Sequence, residues 1–278
     1  MGQILHINIP TPQGYLEGIL KPEEQGETPK FTGLVCHPHP LGGGTMHNKV
    51  VFKAAQTLQA LHIPTLRFNF RGVGHSTGTY DEGRGEMDDV RYALEFLSRR
   101  YAGLPVILAG FSFGAYVGLR VACVDDRVQA IIGLSVPARM FEGETLQGCQ
   151  KPKLIIHGTE DEIAPYELTA KWFEQVPAPK SMVAVPGADH FFQDRLNEVE
   201  AIIIGFVQTK QSLAYFFLQQ SELPLHHLRA PDTYRAVFRT VGEQPICAKY
   251  HAIDLYAMIN GLQLTSLVDI PQAQRTIL

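Results

Sequence analysis

The chain has 278 residues, 45% of them apolar and 19% charged, with a net charge of −4 and an isoelectric point near 6.3. That suits one large soluble α/β domain, or a medium domain with an appendage, and gives no electrostatic case for binding nucleic acid or an anionic membrane surface. No run approaches the ~18 consecutive apolar residues of a membrane span, and the N-terminal stretch has no signal-peptide pattern, so cytoplasmic residence is the default expectation.

The alternation from Ile4 to Ile9 predicts a strand, and Tyr15 to Leu20 a second one after a Pro-Gln-Gly turn. With no helix between them, these two read as an antiparallel edge. Pro22 to Lys30 is a charged loop. Gly33 to Cys36 is wholly apolar, as expected of a strand buried on both faces. The loop HPHPLGGGT follows, then a helix over Lys49 to Leu61. Pro64 to Phe70 predicts a strand, Arg71 to Gly85 a glycine-rich loop, and Glu86 to Tyr101 a helix with acid early and Arg99 and Arg100 last, which suits the helix dipole. Strands over Val106 to Ala109, Val128 to Leu134, Lys153 to Ile156 and Ser181 to Val185 alternate with helices over Ser112 to Val124, Tyr166 to Gln175 and Leu196 to Thr209. This alternation predicts an α/β fold with a mostly parallel sheet and helices on both faces. The rhythm breaks after it, so residues 1–209 are read as one α/β domain and 210–278 as a C-terminal extension. A strand over Tyr234 to Val241 and a helix over His251 to Leu262 are expected within the extension.

Gly110-Phe-Ser-Phe-Gly114 lies between a strand and a helix. A serine hydroxyl is a poor nucleophile unless it stands exposed beside a base. A sharp strand-to-helix turn lifts it above the sheet edge, and the crowding needs small residues two before and two after it. Ser112 is therefore the candidate nucleophile, and the backbone N–H of Phe113 points from a helix N-terminus toward the place where an oxyanion would form. The plain alternative is a tight turn without chemistry.

Partners on such a sheet follow in the order serine, acid, histidine, each past the end of a late strand. His157-Gly-Thr-Glu-Asp161 and Pro186-Gly-Ala-Asp-His190 occupy those places, 49 residues after Ser112 and 29 residues further on. Asp161 is the candidate acid and His190 the candidate base. Glu160 and Glu162 compete for the first role, as does a simple helix cap. His157 and His251 compete for the second. His157 is expected to hold loop structure, and Asp189 to be a turn residue.

In the loop after Cys36, Pro38 and Pro40 have no N–H to donate. His39 and Leu41 are the nearest donors for the second half of an oxyanion hole, with His39 preferred. His37, His39 and His47 also invite a metal reading, but H-x-H lacks a third ligand, so structural imidazoles and no metal are expected. Cys36, Cys123, Cys149 and Cys247 are far apart with no C-x-x-C pair, which predicts free thiols.

His37-Pro-His-Pro-Leu-Gly-Gly-Gly-Thr-Met-His-Asn-Lys-Val50, Arg67-Phe-Asn-Phe-Arg-Gly-Val-Gly74, the Ser112 pentapeptide and Asp189-His-Phe-Phe192 together resemble small bacterial α/β-hydrolases related to dienelactone hydrolases and carboxylesterases. The resemblance covers about residues 1 to 209. It implies the α/β-hydrolase fold and a serine esterase with the triad above, and no particular substrate. Dienelactone hydrolases proper use a cysteine nucleophile, so Ser112 argues against that activity. In the loop RGVGHSTGTYDEGRGE, Arg71, Asp81 and Glu86 are expected to fix the backbone.

Only 18 residues separate the strand ending at Leu134 from the one starting at Lys153, too few for a large cap. An accessible site for a small, short-chain ester follows, with Leu41, Phe111, Phe141 and Leu146 as pocket candidates. No cofactor is required: Gly72, Gly74 and Gly78 do not open a helix as a dinucleotide fingerprint would. The extension is read as packing on the body or as a homo-oligomer contact, a lid being the alternative. Thioester or peptide hydrolysis on the same triad, and a catalytically silent binding protein, are the competing functions.

Overall fold

The computed structural model describes residues 4–24 and 26–220, with backbone alone from 210 on. Two strands, β1 (Leu5–Thr11) and β2 (Gly14–Lys21), are joined by the expected tight turn and pair antiparallel. They lead into β3 (Thr32–Cys36), α1 (Lys49–Ala60), β4 (Thr65–Phe68), α2 (Arg84–Arg100), β5 (Val106–Phe111) and α3 (Phe113–Val124). Then come β6 (Val128–Leu134), β7 (Lys153–Gly158), α4 (Tyr166–Gln175), β8 (Lys180–Val185) and α5 (Leu196–Gln220). The eight strands form one sheet in the order β1-β2-β4-β3-β5-β6-β7-β8, parallel from β4 onward.

The apolar runs of the inner strands have a simple cause: both faces are covered, so successive side chains enter opposite cores. In β5, Val106 and Leu108 pack on the side of α2, α3 and α4, while Ile107, Ala109 and Phe111 pack on the side of α1 and α5. The two-sided arrangement agrees with the sequence reading. The strand expected over Pro64 to Phe70 is shorter: Asn69 N–H still donates to Glu17 O of β2 (2.8 Å), but Phe70 N–H leaves the sheet and donates to the ring of His37 at Nε2 (3.0 Å). The helix expected over Leu196 to Thr209 is longer: α5 runs on without a break to Gln220. Cys247, His251, Tyr234 to Val241 and the rest of the extension lie outside the described residues. Among those described, no helix is long and apolar enough to cross a membrane.

One expectation is corrected. Cys123 and Cys149 are not free thiols but a disulfide, with their Cα atoms 4.9 Å apart. Spacing along the chain concealed the pairing. Helix α3 starts at the carboxyl edge of the sheet and runs back to the amino edge, where the segment leading into β7 also lies. The same two ends are laced by Lys151 Nζ, which donates to Ala122 O (2.7 Å), while Lys153 Nζ braces the second segment internally by donating to Cys149 O (2.7 Å). Cys36 is free and buried.

A cross-link 26 residues apart restricts the unfolded chain by about 3 kcal/mol. Dithiothreitol should therefore lower the thermal unfolding midpoint by about 5–10 °C, and Cys123→Ser should melt at the reduced protein's temperature. Calorimetry of the three samples checks this.

Candidate active site

Four neighbouring strands each deliver one polar residue at the carboxyl edge: Ser112 after β5, Ser135 after β6, Asp161 after β7 and His190 after β8. Ser112 stands in a backbone conformation that L-residues avoid (φ 53°, ψ −119°). Such strain costs of order 1–3 kcal/mol and persists only where the surroundings fix it. Here they do: Ser112 N–H donates to Leu134 O (2.9 Å), and Ser112 O accepts the N–H groups of Ala115 and Tyr116 as α3 begins. The glycines on either side are required by close approach. A Cβ on Gly110 would come within 2.4 Å of Gly114 O, and one on Gly114 within 2.4 Å of His37 O. The turn is thus wedged against the end of β3.

Ser112, His190 and Asp161 come together. His190 Nε2 lies 3.0 Å from Ser112 Oγ, and its Nδ1 lies 2.8 and 3.0 Å from the two Asp161 oxygens. A carboxylate only accepts, so Nδ1 carries the hydrogen and the Nε2 lone pair accepts the Ser112 O–H. All three side chains are buried or nearly so. Burial alone would raise the Asp161 pKa. The side chains of His157 and His190 and the Ala164 N–H outweigh it and hold the carboxyl below the usual carboxylate range. Asp161 Oδ1 also takes the N–H groups of Ile163 (3.0 Å) and Ala164 (2.7 Å), so it caps the turn before α4 as well as meeting His190. The two loops carrying acid and histidine are closely joined: Glu160 N–H donates to Ala188 O (3.0 Å), and Gly187 N–H to Thr159 Oγ1 (2.9 Å).

The other residues read from the sequence fall as follows. The ring of Phe111 packs against His190 (5.2 Å between centroids). Leu41 is exposed on the loop after β3, in a short 3-10 turn over Pro40–Gly42. Its N–H donates to His39 Nδ1 (3.2 Å). Phe141 and Leu146 are buried in the core, where the Phe141 ring lies on Trp172 (4.5 Å) and against Tyr116 (5.2 Å). His37 is buried and bonded at both nitrogens, donating from Nδ1 to Pro38 O (2.7 Å) and accepting Phe70 N–H at Nε2. Asp189 is a turn residue: its Oδ1 accepts the N–H groups of Phe191 (3.1 Å) and Gln193 (2.8 Å). Arg71 makes a bidentate pair with Asp89, Glu86 accepts the N–H groups of Asp81 and Gly83, and Asp81 accepts Gly85 N–H, which together fix the glycine-rich loop.

Sequence reasoning passed over Ser135, whose Oγ donates to His190 O (2.9 Å) and anchors that residue's backbone. Its position one residue beyond β6, level with Ser112 beyond β5, was the available signal. It also passed over Tyr80, whose hydroxyl meets His39 Nε2 at 3.2 Å, and Phe191, whose ring stands edge-on to that of His190 with 5.2 Å between centroids.

The sheet order and the serine turn define an α/β serine hydrolase architecture. The chain belongs to the α/β hydrolase domain family, whose sequence pattern matches residues 34–201. It is 31% identical over 210 residues to an uncharacterised protein of Rickettsia prowazekii, covering 72% of this chain and 87% of that one. Among solved structures it resembles an α/β serine hydrolase homologue from Coxiella burnetii (39% identity, TM-score 0.68, 73% of this chain and 97% of that one). It also resembles an α/β serine hydrolase without lid from Xanthomonas campestris (35% identity, TM-score 0.68, 74% and 94%).

His37 supplies a pH prediction. Burial lowers its pKa from 6.5 to about 4, against the small opposing effect of its bond to Pro38 O. The unfolded chain therefore takes up this proton first as pH falls, and stability declines between about pH 6.5 and pH 4. The full window is worth about 3 kcal/mol, while the contribution of Asp161, a lowered carboxyl, is lost only at still lower pH. Urea unfolding at pH 7, 5.5 and 4.5 should show this decline, with a slope near one proton.

Proposed function

We propose that this protein hydrolyses short-chain carboxylic esters through an acyl-enzyme, with Ser112 as nucleophile, His190 as general base and acid, and Asp161 as the group that orients and stabilises the imidazolium. The observation that carries the reading is His190 bonded at once to Ser112 Oγ and to a buried, ionised Asp161. Ser112 Oγ attacks the ester carbonyl as its proton passes to His190 Nε2. The oxyanion accepts the Phe113 N–H at the start of α3 and the His39 N–H. Leu41 N–H, the other candidate, is already spent on His39 Nδ1. The alcohol leaves with the proton from His190, and water repeats the sequence to release the acid. No cofactor enters.

The short-chain preference rests on the absence of cover among the described residues. The 18 residues between β6 and β7 hold one 3-10 turn, Ala138–Phe141, whose aromatic ring is committed to the core. Leu41, Ile163, Leu168 and Phe191 are exposed on loops and a helix end past the carboxyl ends of their strands, which offers an apolar rim but no tunnel. The lid-less description of the Xanthomonas campestris relative accords with this.

Two measurements test the proposal. With p-nitrophenyl butyrate, Ser112→Ala should lose about 10⁴-fold or more in kcat while keeping the wild-type melting temperature; equal turnover by the two proteins refutes the nucleophile. In a series from acetate to palmitate, kcat/KM should be highest for the two- and four-carbon acids, and a maximum at twelve carbons or longer refutes the short-chain reading.

A further inference from the structure

Asp161 is flanked by two imidazoles, and the reaction above uses only one. His157, five residues into β7, is completely buried. Its Nε2 lies 2.6 Å from Ala164 O and 3.3 Å from Asp161 Oδ2. Both neighbours are acceptors, so Nε2 carries a hydrogen. Its Nδ1 is buried and has no hydrogen-bond partner among the described residues. A second proton there would create a buried N–H with nothing to accept it, a costly arrangement. His157 is therefore a neutral donor of fixed tautomer.

The placement of this donor is specific. Asp161 Oδ1 accepts the N–H groups of Ile163 and Ala164 and lies 3.0 Å from His190 Nδ1, while Oδ2 is the nearer oxygen to His190 Nδ1 (2.8 Å) and faces His157 Nε2 (3.3 Å). Ala164 takes part twice, donating its N–H to the carboxylate and accepting from His157. The acid is thus gripped by the backbone at Ile163 and Ala164 and by one imidazole, none of which belongs to the loop that carries His190. The titratable groups packed around it are His157 from β7, His190 from the loop after β8 and, beyond the His157 ring (6.1 Å), Tyr166 from α4.

We propose that His157 is a positioning residue for the hydrolytic reaction, a fixed neutral donor that sets the orientation of Asp161 and the share of its charge available to His190. This rests on the reading of Ser112, His190 and Asp161 as the reacting set. If His157 only held the loop, its loss would alter stability alone. If it sets the charge on the acid, removing it leaves more negative charge facing the imidazolium. The His190 proton then binds more tightly, and the acid limb of the pH profile moves up.

The experiment compares wild type with His157→Leu, His157→Gln and His157→Asn. A glutamine amide reaches the place of Nε2 and restores the donor, while an asparagine amide stops near Nδ1 and does not. The primary readout is the rate of Ser112 labelling by a fluorophosphonate across pH 5 to 9, which needs the triad but no ester; p-nitrophenyl butyrate turnover is measured alongside. The Leu and Asn variants should label about 10- to 100-fold more slowly, the span of one hydrogen bond to a charged group, with KM for the ester little changed. Their acid limb should lie above that of the wild type, and the Gln variant should restore both rate and limb. Equal rates and limbs in all four proteins, or equal losses in Leu, Gln and Asn, overturn the proposal. If the Leu variant does not fold, Gln against Asn decides. A wild type that labels readily but hydrolyses no ester defeats the substrate reading and leaves the His157 comparison intact; a wild type that does not label defeats both.

Discussion

A carboxylate taken out of water must be surrounded by donors or lose its charge. Asp161 meets that condition with two backbone N–H groups, His190 and His157. Much of the site's architecture follows from satisfying this one group. The N–H groups come from the turn that starts toward α4, so the acid and the helix entry are a single construction. Of the two imidazoles, one comes from the same strand as the acid and the other from the next strand over. The β7 and β8 loops must therefore be in register for the charge to be stable at all. Gly158 enforces that closeness, since a Cβ there would come within 2.2 Å of Ala188 O.

The parallel sheet explains why these groups meet. Parallel strands end at the same edge, and adjacent ones end within reach of one another. Residues 112, 135, 161 and 190, scattered along the chain, thereby become neighbours. Ser135 shows how economical the arrangement is, because one hydroxyl in the gap between β5 and β7 fixes the backbone of the histidine that must span it.

The sequence made the fold legible wherever burial on two faces forced an apolar run, and the serine turn legible because crowding demands glycine on both sides. The strand-then-loop positions of Asp161 and His190 were legible for the same topological reason. What stayed hidden depended on three-dimensional closure. The Cys123–Cys149 bond joins segments that meet only once α3 has run back to the amino edge. The partner of Arg71 is Asp89, on the second turn of α2, where charge pattern alone does not distinguish it from Asp88. His157 could be seen as a structural histidine, but its contact with the acid depends on how the chain doubles back at Ala164. Phe141 and Leu146 read as pocket candidates from their segment alone, and only packing shows that both are buried in the core, the Phe141 ring against Trp172 and Tyr116.

The contact between Gly114 and the carbonyls of Cys36 and His37 has a consequence for how such a protein can diversify. The start of α3 and the end of β3 are in backbone contact, with no side chain between them to be traded for another. Substitution cannot widen or narrow that seam; it can only break it. Leu41, Ile163, Leu168 and Phe191 stand in contrast: their side chains are exposed, so exchanging them leaves the backbone beneath undisturbed. The seam and the exposed rim are thus open to substitution to very different degrees, and the surface beside Ser112 can vary while the seam stays as it is.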